Sequence, residues 1–290
     1  VTATKLLLVG IDGLRVDDAL RPGAAPHLAE LVAGGAIASV RMPVPTISGP
    51  GWSTLLTGAR PEAHLVVDNT FHGHRLFEKP DLLSQASFDD PTCTTFAAAG
   101  WPPLVDPAGP GPVLRSRPDQ QATGQHRVVV RDGEVYGYRY ADGEIAAWAR
   151  LALGGGPDVS FVYLGEVDEA AHLHGALSAE CAAAVTRVDA HLGSVVARVR
   201  QRADLTGESW LVAVTTDHGH LDEGGHGGGE DVVTRSFLAV RRIVPAGEPA
   251  PDPVALGDHV EPHRVRDLLL GLVGRGPAEV HAVGGATGGR

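Results

Sequence analysis

Lys5-Leu-Leu-Leu-Val-Gly-Ile11 carries no polar side chain after its lysine, and Asp12-Gly13 closes it. A continuous apolar run of this length reads as a strand buried on both faces, the kind found inside a parallel sheet. Asp158–Gly165, with Val-Ser-Phe-Val-Tyr-Leu, and Trp210–Thr216, with Leu-Val-Ala-Val-Thr, read the same way. Ala36–Arg41 and Ser236–Val240 complete the expected strands. Helical patterns lie between them. Pro26–Ala33 and Pro50–Thr57 each open on a proline, which the first turn of a helix tolerates. In Ala179–Arg202, Cys181, Val185, Val188, Leu192, Val195 and Val199 recur at steps of three and four and so share one face. Ser178 is placed to cap that helix, with Glu180 in its first turn. A last helix is expected over Pro262–Val273. Strands alternating with helices predict an α/β fold, a mainly parallel central sheet flanked by helices.

The chain has 290 residues, enough for one large domain or two small ones. No internal repeat divides it. The middle differs from its flanks: residues 72–157 are rich in proline, glycine and polar side chains, and Pro107–Pro112 is loop. His126–Arg131, Asp132-Gly133 and Glu134–Tyr140 read as a hairpin with Asp-Gly at the turn. This stretch is expected to be partly a continuation of the sheet and partly a small cap over the site.

Hydrophobic residues at 43% and charged residues at 20% are ordinary for a globular protein and exclude disorder throughout. No apolar run approaches the roughly 18–20 residues that span a bilayer. The run at Leu6–Ile11 is too short for a signal peptide and no small-residue cleavage site follows it. With cysteine scarce as well, a cytoplasmic location is expected. A net charge of −11 argues against binding duplex nucleic acid or a membrane surface. Cys93 and Cys181 form no CxxC motif and read as two buried thiols.

Three aspartates, Asp12, Asp168 and Asp217, stand just beyond predicted strands, where open α/β sheets bind ligands. Any one alone reads as a solvated loop carboxylate; two of them are followed by histidines. Asp168-Glu-Ala-Ala-His172 puts a carboxylate and an imidazole four apart, close enough on a helical turn to chelate one metal. Asp217-His218-Gly219-His220 is followed by Gly-Gly-His226-Gly-Gly-Gly, and glycines suit a backbone bent closely around an ion. The plain alternatives are a surface His220 and a flexible loop over Gly224–Gly229. His72, His74 and His174 read as polar loop or pocket rim. In Pro45-Thr-Ile-Ser48-Gly-Pro50-Gly-Trp52-Ser-Thr-Leu-Leu-Thr57-Gly58, Ser48 precedes a helix start that favours an anion. Its plain alternative is a helix cap.

These segments together resemble the alkaline phosphatase superfamily, and within it the type I phosphodiesterase/nucleotide pyrophosphatase branch. The resemblance rests on Val9-Gly-Ile-Asp12-Gly13, Pro45-Thr-Ile-Ser48-Gly-Pro50 with Leu56-Thr57-Gly58, and Pro61-Glu-Ala-His64 with Asp68-Asn69. Asp168-x-x-x-His172-x-x-Gly175, Thr216-Asp217-His218-Gly219 and Gly225-His226-Gly227 follow in the same order, from residue 5 to about 240.

The resemblance implies a single alkaline phosphatase-like catalytic domain over residues 1–290, with the small cap insertion at about 72–157. It also implies two divalent metal ions, commonly zinc, although Asp₂His and AspHis₂ donor sets also accept manganese or iron. Asp168, His172 and His226 match the ligands of the first metal. Asp12, Asp217 and His218 match those of the second, which also touches the nucleophile. Ser48 falls at the nucleophile position, and Asn69 matches an amide that holds a phosphoryl oxygen. The expected reaction is hydrolysis of a small phosphorylated substrate, at a phosphodiester or pyrophosphate bond, through a phosphoserine at Ser48. Two Zn²⁺ against three carboxylates leave the site positive for an anionic substrate in an acidic protein.

Departures from the pattern are Gly51-Trp52, where many diesterases have Asn-His, and Leu65, where the family has glycine. Trp52 is free to stack on a base or to pack inside its helix. A sulfatase would need arginine at the position of Trp52. A phosphonate hydrolase would need a cationic pocket, for which Arg60, Arg75 and Lys79 are the only hints, and a phosphomutase a larger cap. A phosphomonoesterase would use the same two-metal core. A non-catalytic phosphate- or metal-binding member is the alternative of another class.

Overall fold

The computed structural model describes residues 4–249 and 251–276. Its strands are β1 (Lys5–Ile11), β2 (Ala36–Arg41), β3 (Thr95–Ala99), β4 (His126–Val130), β5 (Val159–Leu164), β6 (Trp210–Thr215) and β7 (Arg235–Ile243). The helices of eight residues or more are α1 (Pro26–Ala33), α2 (Ser48–Thr57), α3 (Leu82–Asp89), α4 (Tyr138–Gly154), α5 (Glu166–His174), α6 (Ala179–Thr206) and α7 (Val265–Leu272).

The strands form one sheet in the order β2-β7-β6-β1-β5-β3-β4. From β6 to β4 every pairing is parallel, and β7 runs against both β6 and β2. Alternate residues of β1 feed two cores. Leu6 and Leu8 pack with Leu55 and Leu56 of α2, Leu82 of α3 and Leu269 of α7. Leu7, Val9 and Ile11 pack on the other face with Leu28 of α1, Ile145 of α4, Val167 of α5 and Val188 of α6. Helices therefore cover both faces, which is why the central strands read as unbroken apolar runs. Leu6, Leu7 and Leu8 are each at most 1% exposed. Edge strand β2 instead alternates, burying only Ala38 and Val40.

Residues 126–140 are not a hairpin. β4 pairs in parallel with β3, Thr95 opposite His126. The Asp132 carboxylate accepts from the N–H groups of Glu134 and Val135 and starts a short helix at Gly133–Tyr136, with α4 behind it. An aspartate before glycine serves as a helix cap as readily as a turn. The strand β3 carries little sequence signal, because Thr-Phe-Ala-Ala-Ala has low intrinsic strand preference; it is a strand because it is buried between β5 and β4. Helix α2 begins two residues before the expected Pro50, so Ser48 lies in its first turn. Cys93 and Cys181 are the two buried free thiols expected, each pushed up to about 11 by burial.

Among the described residues, no helix is long and apolar enough to cross a membrane. The topology brings the carboxyl ends of β5, β1 and β6 side by side, and this places the site.

Candidate active site

Asp12 follows β1 directly, Asp217 lies just beyond β6, and Asp168 sits in the first turn of α5, which leaves the end of β5. His172 is one turn along α5, and His218 and His226 arrive on the loop after β6. The loop closes over the site because Gly224, Gly225 and Gly227 take φ of 98°, 85° and 110°, values open to glycine and strained for other residues. A side chain at Gly224 would also meet the Ala171 carbonyl at 2.4 Å.

Two donor clusters result. Asp168, His172, His220 and His226 form one; Asp12, Asp217 and His218 form the other. The rings of His218 and His226 stack at 3.7 Å and join them. In the first cluster, His172 Nε2 lies 2.9 Å from His226 Nε2, and Asp168 Oδ1 lies 3.5 and 3.7 Å from the two imidazoles. Donors about 2.0–2.2 Å from one tetrahedral ion stand roughly 3.3 Å apart, so this triangle fits a single cation. His226 Nδ1 donates to the Thr46 carbonyl at 2.7 Å, and His218 Nδ1 to the Gly219 carbonyl at 3.1 Å. A carbonyl only accepts, so in both rings the proton sits on Nδ1 and the Nε2 lone pair faces the cluster, as metal-binding histidines require.

The second cluster is buried with only partial internal compensation. Asp12 is 1% exposed and Asp217 fully enclosed, yet Asp12 Oδ1 and both Asp217 oxygens have no hydrogen-bond partner among the described residues. Burial, then the neighbouring carboxylates, pushes Asp12 up to about 6 and Asp217 well above the ordinary carboxylate range. Burial also raises Asp168 and holds His218 and His172 below the ordinary histidine value. Carboxylate oxygens with no donors, packed beside imidazole nitrogens, are compensated either by protons or by cations. The donor sets fit two divalent ions.

Ser48 is not a cap. Ile47 holds the cap position of α2, and Ser48 Oγ lies 3.3 Å from His218 Nε2, against the second cluster. The Gly49 N–H donates to Asn69 Oδ1 at 2.7 Å. An N–H can only donate, so its partner is the amide oxygen and the Asn69 NH₂ is left to serve an acceptor. Thr46 Oγ1 donates to the Gly228 carbonyl at 2.8 Å and accepts from Gly227 N–H at 3.0 Å, which ties the glycine loop to the strand side of α2.

Three residues were not assigned from sequence. His220 is fully buried, not on the surface, and its Nε2 donates to Asp168 Oδ1 at 2.7 Å. Trp52 is fully buried too, so it does not offer a stacking face; its Nε1 donates to Asp12 Oδ2 at 3.0 Å. The Tyr163 hydroxyl donates to the same oxygen at 2.7 Å. His72 and His174 are exposed, His74 holds the Leu76 N–H, and none of them joins either cluster. These contacts cross about 40 to 150 positions of sequence, and only the doubled histidines around Gly219 hinted at any of them.

The sequence profile of the type I phosphodiesterase / nucleotide pyrophosphatase family matches residues 6–239. The chain belongs to that family. No curated protein sequence matches this type I phosphodiesterase-like chain. Its fold recurs in human ectonucleotide pyrophosphatase / phosphodiesterase 5, at TM-score 0.65 and 14% identity, covering 93% of this chain and 95% of that one. It also recurs in an inactive variant of the murine enzyme in complex with AMP, at TM-score 0.55 and 21% identity, covering 74% of this chain and 57% of that one. Phosphonoacetate hydrolase from Sinorhizobium meliloti in complex with phosphonoformate gives TM-score 0.54 and 16% identity, covering 75% of this chain and 56% of the hydrolase. The α/β sheet is thus the one these solved structures share.

Proposed function

We propose that the chain is a two-metal hydrolase of phosphodiester or pyrophosphate bonds that uses Ser48 as nucleophile. The observation that carries this reading is the position of Ser48 Oγ, 3.3 Å from His218 Nε2 and beside buried carboxylate oxygens that have no donors among the described residues. Asp168, His172 and His226 would hold one cation; Asp12, Asp217 and His218, with Ser48 Oγ, would hold the other. Bound there, two divalent ions supply the positive charge that lowers the pKa of a hydroxyl and stabilises a departing oxygen.

The protein's own groups do the rest. Ser48 Oγ would bond to phosphorus as the bond to the leaving oxygen breaks, the serine proton ending on the leaving oxygen; water would then cleave the phosphoserine, its hydroxyl staying on phosphorus and one proton returning to Ser48 Oγ. The α2 N-terminus and the Asn69 NH₂ favour the anionic phosphoryl oxygens. Thr46 is not a competing nucleophile, because its hydroxyl is held by the glycine loop. Trp52 stands where a sulfatase needs arginine.

The test is the rate on bis-p-nitrophenyl phosphate beside p-nitrophenyl phosphate, for zinc-loaded wild type and Ser48→Ala. The diester is expected to be the better substrate, with kcat falling at least ~10³-fold in the variant. Full turnover by Ser48→Ala sinks the nucleophile. A monoester preference keeps the nucleophile and makes the protein a phosphomonoesterase.

A further inference from the structure

The Asp12 carboxylate is divided between two tasks. Its Oδ2 accepts from Trp52 Nε1 at 3.0 Å and from the Tyr163 hydroxyl at 2.7 Å. Its Oδ1 has no hydrogen-bond partner among the described residues and lies 3.4 Å from His218 Nε2. A carboxylate oxygen that already accepts from two buried donors is a poorer metal ligand, so Oδ1 alone faces the cluster. The torsion of the carboxylate is fixed as well, because its two donors come from different elements: Trp52 from α2 and Tyr163 from β5.

The packing under Asp12 keeps the two donors in place. The indole meets the Tyr163 ring edge-on at 5.7 Å and the Phe161 ring at 5.9 Å. Its ring lies over Gly10, where a Cβ would approach Trp52 Cη2 to 2.4 Å; any side chain there would expel the indole. Gly10 is also the residue that pairs with Tyr163 across the β1–β5 ladder. Trp52 is one helical turn from Ser48 on α2, so the nucleophile and this donor ride on the same side of one short rigid element. Burial holds the Tyr163 phenol well above its ordinary pKa, and it stays a donor.

We propose that Trp52 and Tyr163 are positioning residues for the second metal: together they hold Asp12 so that Oδ1 is its single metal-binding oxygen, in fixed register with Ser48. This rests on the two-metal reading above. Partners that orient a metal-binding side chain are commonly worth 10–100-fold in metal affinity, and Tyr163→Phe removes one such hydrogen bond without changing the ring.

The experiment is zinc titration of the metal-free protein against a chromophoric chelator, for wild type, Tyr163→Phe and Trp52→Phe. His172→Ala and His218→Ala assign the two binding steps to their clusters. Tyr163→Phe and Trp52→Phe are each expected to weaken the His218-assigned step 10–100-fold and to leave the His172-assigned step unchanged. In ¹⁵N spectra of the wild type, the indole N–H signal absent from Trp52→Phe is expected to shift as the His218-assigned step fills. An unchanged second step in both variants overturns the positioning role, as does equal weakening of both steps, the mark of a general loss of structure. If wild type binds fewer than two zinc ions, the two-metal reading itself fails, and the proposal with it.

Discussion

Leu65 sits at φ 54°, in the left-handed region, at the end of the short helix Pro61–His64. Glycine is the usual residue for that conformation, and a branched side chain there costs roughly 1–2 kcal/mol. Leu65 is 39% exposed, so truncation there also gives up the covered part of its side chain. Leu65→Gly is therefore expected to be more stable than Leu65→Ala, which loses the same packing and keeps the strain, by about 1 kcal/mol, or ~2–4 °C in Tm. Thermal denaturation checks it; an equal or lower Tm for the glycine variant would show that the backbone pays nothing for the turn. The neighbouring His64 is the opposite case. It is fully buried, held by Thr54 and Val66, and burial pushes it down to about 4, so the family's histidine at this point supports the fold, away from the chemistry.

Helix α5 carries two first-cluster residues, and its start is held from outside. Asp142 of α4, fully buried, accepts from the N–H groups of Gly165 at 3.0 Å and Glu166 at 2.8 Å, and Arg187 of α6 donates to Glu166 at 2.7 Å. Burial outweighs those N–H bonds and pushes Asp142 up to about 8. The folded protein then keeps a proton that the unfolded chain releases near pH 4, so stability falls as pH rises between those values, by up to ~1.4 kcal/mol per unit. Below about pH 6.5 the buried histidines act in the opposite sense, since they stay neutral when folded and protonate when unfolded. The clean interval is about pH 6.5–7.5. In urea unfolding of zinc-saturated protein, wild type is expected to lose ~1 kcal/mol more across it than Asp142→Asn; equal slopes would mean that Asp142 is already ionised. The elements themselves were unequally legible. β1, β5 and β6 declared themselves because a strand covered on both faces must be apolar throughout. β3 did not, because alanines become a strand only when neighbours enclose them. The Asp132-Gly133 pair misled because its carboxylate captures helix N–H groups. The aspartates and histidines at strand ends were legible as a group, whereas Trp52, Tyr163 and His220 act across distances that no local pattern records.

At the scale of the whole molecule, an acidic chain of net charge −11 gathers three of its carboxylates in one site, Asp12 and Asp217 buried and Asp168 partly so. Without cations this arrangement works against folding, since each carboxylate must either shed its charge or remain without solvent. Asp217, with neither oxygen partnered among the described residues and no exposed surface, is the most costly of them. Asp217→Asn keeps the shape and removes the charge. In chelator-treated protein near pH 7 the variant is expected to be more stable than wild type by at least ~1 kcal/mol, or ~2–4 °C in Tm. With zinc added the order should reverse. Each ion bound only by the folded state adds about 2.7 kcal/mol when present at a hundred times its Kd; wild type gains from two such ions, and the variant from the Asp168 cluster alone. Paired thermal melts with chelator and with zinc decide it. A variant less stable than wild type in both conditions would mean that Asp217 contributes to the fold in its own right. The predicted crossing ties stability to function: the charges that work against folding in the metal-free protein are those proposed to hold the ions.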